Sequence, residues 1–157
     1  MSDTLKIVRT NSQNPDFISL VKQLDAYLAV TDGDEHGFYD QFNKIQNLRY
    51  VTVAYMDDVP VGCGAIKEFA TDTMEVKRMF VKQEYRGKGI AGKILAELET
   101  WAFEMGYSKC VLETGKRQVE AVALYMKSGY RIIPNYGQYI GMDNSICFEK
   151  VLEIKAT

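Results

Sequence analysis

The sequence predicts an α/β fold of the α+β kind: a mixed, mostly antiparallel sheet flanked by helices, with one parallel β-α-β crossover. Three observations predict it. Consecutive strand-like runs between residues 48 and 82 are joined tightly enough to be hairpins. After "QEYRGKG" the apolar period changes from two to about 3.6. A buried-type strand, "KCVLET", follows that helical stretch, which makes the strand–helix–strand connection a parallel crossover.

Each element has its own signal. "TLKIVRT" alternates as a short strand. In "NPDFISLVKQLDAYLAV", Asn14 is a candidate N-cap and Pro15 takes the first helical position, while Phe17, Leu20, Val21, Leu24, Tyr27 and Leu28 recur at helical spacing. "TDGDEHG" reads as a polar loop and "FYDQFNKIQ" as a short helix. "LRYVTVAYM" and "VPVGCGAIKEF", separated by "DD", form a hairpin, and "TMEVKRMFVK" adds a third consecutive strand. Ile90, Ile94, Leu95, Leu98, Trp101, Ala102 and Met105 line the core face of a helix that Gly106 terminates. "RQVEAVALYMKSGY" is a helix capped by Gly129, and "YRIIP" and "SICFEKVLEI" supply the last strands. The order is β-α-α-β-β-β-α-β-α-β-β. No repeat or linker interrupts it, so residues 1–157 read as one domain.

Composition narrows the function. Apolar content of 46% and charged content of 25% are ordinary for a globular protein, and the net charge of −2 argues against a nucleic-acid surface covering the whole molecule. Between Lys77 and Lys93, however, six basic residues stand against one acid, Glu84. Such an island is either a solvated face or the seat of one polyanionic ligand. Cys63, Cys110 and Cys147 are far apart, lie among apolar residues and form no C-x-x-C, as reduced core thiols of a cytoplasmic protein would. The single histidine, His36, rules out a multi-histidine metal site, and no metal is expected. No apolar run approaches a membrane span, so no membrane partner is expected.

The stretch "YRGKGIAGKIL" fits three phosphate-binding patterns at once. Gly87, Gly89 and Gly92 spell G-x-G-x-x-G. Residues 87–93 spell G-x-x-x-x-G-K, a P-loop but for its last residue. Arg86, Gly89 and Ala91 spell Q/R-x-x-G-x-G/A. All three bring backbone N–H groups to an anion at the start of a helix. The P-loop fails because the Ser or Thr that holds Mg²⁺ is replaced by Ile94, which belongs to the apolar face. The dinucleotide pattern has a helix, a strand and Glu113 in suitable order. Against it, "KQEYR" separates the preceding strand from Gly87, and too few residues follow Glu113 to complete a second nucleotide-binding half.

The third pattern survives. "EVKRMFVKQEYRGKGIAGKILAELETWAFEMGY" resembles the acetyl-coenzyme-A segment of the GNAT family of N-acetyltransferases. "VLETGKRQVEAVALYMKSGY" resembles the family's next segment, a strand and then a helix ending L-Y-x-K-x-G-F/Y. The resemblance implies a GNAT-type sheet and an N-acetyltransferase with acetyl-coenzyme A as donor cosubstrate. The acceptor it implies is an amine, expected to be a small molecule. The resemblance admits a homodimer and implies no nucleic-acid partner; the alternative is a non-catalytic acyl-coenzyme-A binding or sensing module. It further implies that N–H groups of Gly87, Lys88, Gly89, Ile90, Ala91 and Gly92 hold the pyrophosphate. Arg86, Lys88 and Lys93 would supply the positive field around it. The strand residues Met79, Phe80 and Val81 would pair with the pantetheine, and one of their N–H groups would receive the oxyanion. Where the family often carries Asn, this chain has Gln118, a longer arm capable of similar hydrogen bonds.

For the chemistry, a primary amine with a pKa near ~10.4 must lose a proton, since only about one in a thousand is neutral at pH 7. Glu75, eleven residues before Arg86, matches the separation at which family members place a glutamate base, with Glu113 as runner-up. In an extended strand Glu75, Lys77, Met79 and Val81 share one face. Tyr125 matches the family's tyrosine that protonates the leaving thiolate, with Leu124 and Ala121 expected to anchor its helix and leave the phenol free. For the acceptor, the family uses the segment here at 25–48, which offers Asp32, Asp34, Glu35 and Asp40 among Tyr27, Phe38, Tyr39 and Phe42. "IIPNYGQYIGMDN" is expected to close the other side of the site.

Overall fold

The computed structural model describes residues 4–32 and 48–153. Along them run β1 (Leu5–Thr10), α1 (Pro15–Asp32), β2 (Tyr50–Met56), β3 (Val59–Ala70), β4 (Thr73–Val81), α2 (Ile90–Glu104), β5 (Lys109–Gly115), α3 (Val119–Lys127), β6 (Arg131–Ile133) and β7 (Ser145–Val151). The strands form one sheet in the order β1-β2-β3-β4-β5-β7-β6. Among the described residues only β4 and β5 pair in parallel, so the mixed sheet with one crossover is as the sequence predicts. The predicted helix at 38–46 lies outside the described residues.

Local chemistry accounts for the elements. Asn14 Oδ1 accepts the N–H groups of Asp16 (2.8 Å) and Phe17 (3.2 Å), an N-cap worth about 1 kcal/mol. α1 buries Phe17, Leu20 and Val21 against Val51, Val53, Cys63 and Ala65 on one face of the sheet. Asp57 (φ 50°) and Asp58 (φ 69°) are both left-handed, the two-residue turn whose twist matches a hairpin. On the opposite face, α2 packs Ile90, Ile94, Leu95, Leu98 and Ala102 onto Val61, Met74, Val76 and Val81. Gly106, at φ 96°, ends that helix as predicted.

One prediction is corrected. The β3–β4 register runs Gly62↔Val81 and Cys63↔Phe80, then Ala65↔Lys77, so Gly64 faces two residues, Arg78 and Met79. This bulge puts Arg78 at φ 59°, a left-handed backbone that costs a non-glycine residue about 1–2 kcal/mol. The extra residue reverses the alternation. Glu75 and Lys77 lie on the α1 face, whereas Met79 and Val81 lie on the α2 face; they do not share one side. Met79 Sδ sits so close under Gly64 that a Cβ there would come within 2.6 Å of it.

The three cysteines are fully buried and unbridged. Burial pushes Cys63 and Cys110 from an ordinary 9.0 up to about 12, and Cys147 to about 11. A raised thiol pKa in the folded state means that the stability it contributes is intact below pH 9 and is lost as pH rises through the folded value. The native protein is therefore expected to react slowly with a thiol-specific disulfide reagent at pH 8, and to lose stability between pH 9 and about 12. Titration of all three thiols within seconds, without denaturant, would contradict the packing described.

β4 and β5 pair only over Thr73↔Lys109, Met74↔Cys110 and Glu75↔Val111. Beyond that point the two strands diverge, each still paired on its outer side, to β3 and β7 respectively. The sheet is thus split from one end.

Candidate active site

The split opens into a cleft of about 360 Å³. Residues 75–81 of β4 form one wall, and residues 113–115 of β5 with Gln118, Ala121, Leu124 and Tyr125 form the other. Arg86, Gly87 and the first turn of α2 border it, and Leu24, Tyr27 and Leu28 of α1 cover one face.

The β4 wall is an unpaired strand edge. Lys82 N–H donates to the Val61 carbonyl at 2.9 Å, so Phe80, two residues back, also turns its backbone toward β3. Alternation then points the N–H groups of Val81 and Met79 into the cleft. Of the three residues singled out on this strand, two offer free backbone donors there, and Phe80 pairs with Cys63.

At the end of this edge lies the start of α2. Its N-cap is Gly89 and the first intrahelical bond is Lys93 N–H to the Gly89 carbonyl, 3.2 Å, so the N–H groups of Ile90, Ala91 and Gly92 precede the ladder. Gly87 and Gly89 both have φ 79°, and a Cβ on either would meet no atom within 4 Å. The backbone here is bare and faces open space, which is what an approaching anion needs.

Arg86 lies across the cleft rather than out in solvent. Its Nε donates to the Val81 carbonyl (2.9 Å), and its guanidinium stacks over Tyr27 (5.3 Å) and Phe80 (5.9 Å). It also reaches Glu120 of α3 at 3.7 Å. Lys88 stands over the Tyr85 ring at 5.5 Å. Opposite, Gln118 caps α3 by position without a side-chain cap bond, and its buried Nε2 has no partner. A buried amide donor left unsatisfied at a cleft wall suits a ligand carbonyl.

The narrow end holds the titratable groups. Glu75 is 8% exposed. Its Oε2 accepts the hydroxyl of Tyr136 (2.7 Å), and Lys77 Nζ lies 3.7 Å from Oε1. Burial, and then the charge of Glu75, holds the Tyr136 phenol well above its ordinary pKa, so it remains a donor at neutral pH. Phe69 packs edge-on against Tyr136 at 4.9 Å and fixes that ring. Glu113 and Tyr139 line the same end. The tail at 134–144 therefore closes this side, as expected, and it supplies Tyr136, which no motif singled out.

Tyr125 is 6% exposed and packs against Tyr130 and Phe148, at 5.9 and 5.8 Å. Leu124 and Ala121 pack half-buried against the core, as expected, and line the cleft; the phenol is not left free, because Tyr125 is itself the buried residue of α3. Burial, followed by the nearby Glu113 charge, raises the Tyr125 phenol above its ordinary value of 10.0. Of the acidic and aromatic residues expected around the acceptor, Tyr27 lines the cleft. Asp34, Glu35, Phe38, Tyr39, Asp40 and Phe42 lie outside the described residues. Among the described residues no cluster of His, Cys, Asp and Glu is placed to hold a metal, and no helix is long and apolar enough to cross a membrane.

A strand edge without a partner strand, leading to an open helix N-terminus, suits an extended ligand with an anionic group along its length. Comparison with known proteins narrows the class. The profile of the Acetyltransferase (GNAT) family matches residues 17–130, and the chain belongs to that family. An IAA acetyltransferase of Azospirillum brasilense is 34% identical over 93% of this chain and 97% of its own. A Klebsiella pneumoniae protein assigned as an acyl-CoA N-acyltransferase superposes with a TM-score of 0.80 at 28% identity, covering 96% of this chain and 99% of that one. A GNAT acetyltransferase from Elizabethkingia anophelis with acetyl-CoA bound has the same fold, with a TM-score of 0.69 at 21% identity over 96% and 100% of the two chains. The chain is accordingly an enzyme, an acetyl-CoA-dependent N-acetyltransferase by class.

Proposed function

We propose that this enzyme moves the acetyl group of acetyl-CoA directly onto a primary amine of a small acceptor, both held at once, without an acyl-enzyme. The observation that carries the reading is the unpaired β4 edge running into the bare N-terminus of α2. Acetyl-CoA matches that outline, being an amide-bearing arm between a thioester and a pyrophosphate. The N–H groups of residues 87–92, with Arg86 and Lys88 nearby, take the pyrophosphate. Met79 and Val81 pair with the pantetheine as an added strand would, Phe80 contributes its ring, and Gln118 Nε2 donates from the opposite wall. That the Elizabethkingia anophelis protein of the same fold has acetyl-CoA bound supports acetyl-CoA as the ligand.

The residues divide the chemistry between the two faces. Glu75 lies on the α1 face, oriented by Tyr136, and takes the proton from the acceptor ammonium. The Met79 N–H polarises the thioester carbonyl in the cleft. Tyr125 approaches from the other wall and donates to the thiolate as it leaves. Its raised pKa keeps it protonated throughout the neutral range.

Tyr125→Phe keeps the ring contacts with Tyr130 and Phe148 and removes only the donor. The variant is expected to fold and bind CoA like the parent, with kcat lower by roughly ten-fold to a thousand-fold. Lost stability with unchanged kcat would make Tyr125 a packing residue and water the acid. The function itself is tested by following free thiol release from acetyl-CoA over a panel of amines. Turnover with a small primary amine is expected; CoA binding without turnover of any amine, peptide or antibiotic would contradict the proposal and favour a sensor.

A further inference from the structure

Arg78 is a costly residue where it stands. It occupies the left-handed position of the β4 bulge, which glycine would take without strain. It also carries a charge into the interior, with its side chain 2% exposed. Its Nη2 donates to Asp25 Oδ1 of α1 at 2.5 Å, and its Nε has no partner. Its carbonyl accepts the Cys63 thiol at 3.4 Å. Arg78 is among the residues that line the cleft, its side chain reaches α1, and the next peptide carries the Met79 N–H. Asp25, 53 residues away, is 41% exposed at its side chain, so the carboxylate is held at the boundary of solvent while the guanidinium is not.

A bulge sits at a defined angle only if something outside the strand holds it, because the ladder is interrupted at that point. Here Arg78 is tied from two sides: Cys63 bonds its peptide from β3, and Asp25 bonds its side chain from α1. We propose that Asp25 and Arg78 are positioning residues for acetyl transfer, holding the bulge at the angle that aims the Met79 N–H at the thioester carbonyl. The proposal rests on the reading that the acyl group lies against the β4 edge. It adds residues outside the binding loop and links α1 to the angle of the carbonyl donor.

The test is the carbonyl stretch of acetyl-CoA labelled with ¹³C at the acyl carbon, measured by vibrational difference spectroscopy on the parent, Asp25→Asn and Arg78→Gly. Asp25→Asn changes one half-exposed group and leaves the bulge residue in place. Arg78→Gly relieves the backbone strain, so misfolding from strain is removed as an explanation, but it cannot reach Asp25. In the parent the stretch is expected below that of free acetyl-CoA, as for a polarised carbonyl. Both variants are expected to fold, to bind CoA with the parent's affinity and to lose most of the shift, with Asp25→Asn lowering Tm because it leaves the buried guanidinium without its counter-charge. A full shift retained in both variants overturns the proposal alone. So does a loss of shift that merely tracks lost CoA affinity, since the pair would then hold the fold rather than the angle. A parent that binds acetyl-CoA with no shift overturns the carbonyl-donor reading as well.

Discussion

Glu75→Gln is expected to lower turnover by about 10²–10⁴ while leaving CoA affinity nearly intact, as loss of a general base does. The substitution is close to isosteric. The amide oxygen can still accept the Tyr136 hydroxyl, so the tail and the Phe69–Tyr136 contact should stay in place. What disappears is an oxygen able to carry the amine's proton. The cofactor segments are spared because Glu75 lies at the closed end, where β4 still pairs with β5, away from residues 87–92. Rates compared from pH 6 to 9 with the acceptor found in the amine panel would check it. A rate unchanged across that range would move the role to Glu113, which lines the same end, or to water.

Gly89→Val is expected to abolish the stabilisation that CoA gives the protein. Two effects act together. At φ 79° a β-branched residue is strained, which alters the turn that opens α2. Its side chain would also fill the space where the pyrophosphate reaches the N–H groups. That space is empty of protein, with no atom within 4 Å of a Cβ at this position, so the free protein should lose only about 1–2 kcal/mol from backbone strain. The signature is therefore a nearly intact fold that no longer responds to ligand. In a thermal-shift experiment the parent should be stabilised by CoA without Mg²⁺, less so at high salt, and little by ATP or NAD. Equal stabilisation of the parent by ATP–Mg²⁺, or parent-like CoA binding by the valine variant, would contradict the loop assignment.

Much of this site could be read from the chain because its parts are local. The glycines at 87 and 89 lie within one turn of the helix they open, and Asn14 and Pro15 announce α1 within three residues. The Ile90, Ile94, Leu95 and Leu98 face identifies α2 without tertiary information. What was missed depends on distant pairing. Tyr136 reaches Glu75 across 61 residues and Asp25 reaches Arg78 across 53, and no spacing rule connects them. The divergence of β4 from β5 is a property of where pairing stops, which neither strand records alone. The bulge did leave a trace. The apolar residues of β4 that face α2 fall at 74 and 76 and then at 79 and 81, a change of parity within one strand. Strict alternation cannot produce that change, and an inserted residue can.

The central claim is that the ligand lies along the β4 edge and ends on the α2 N-terminus. Backbone amide hydrogen exchange, followed with and without CoA, tests it most directly, because the claim concerns those N–H groups themselves. CoA should slow exchange at Met79, Val81 and residues 87–92, with little change at β1 and β6 on the far edges of the sheet. Saturating CoA that leaves those amides unaltered and protects a different surface would contradict it.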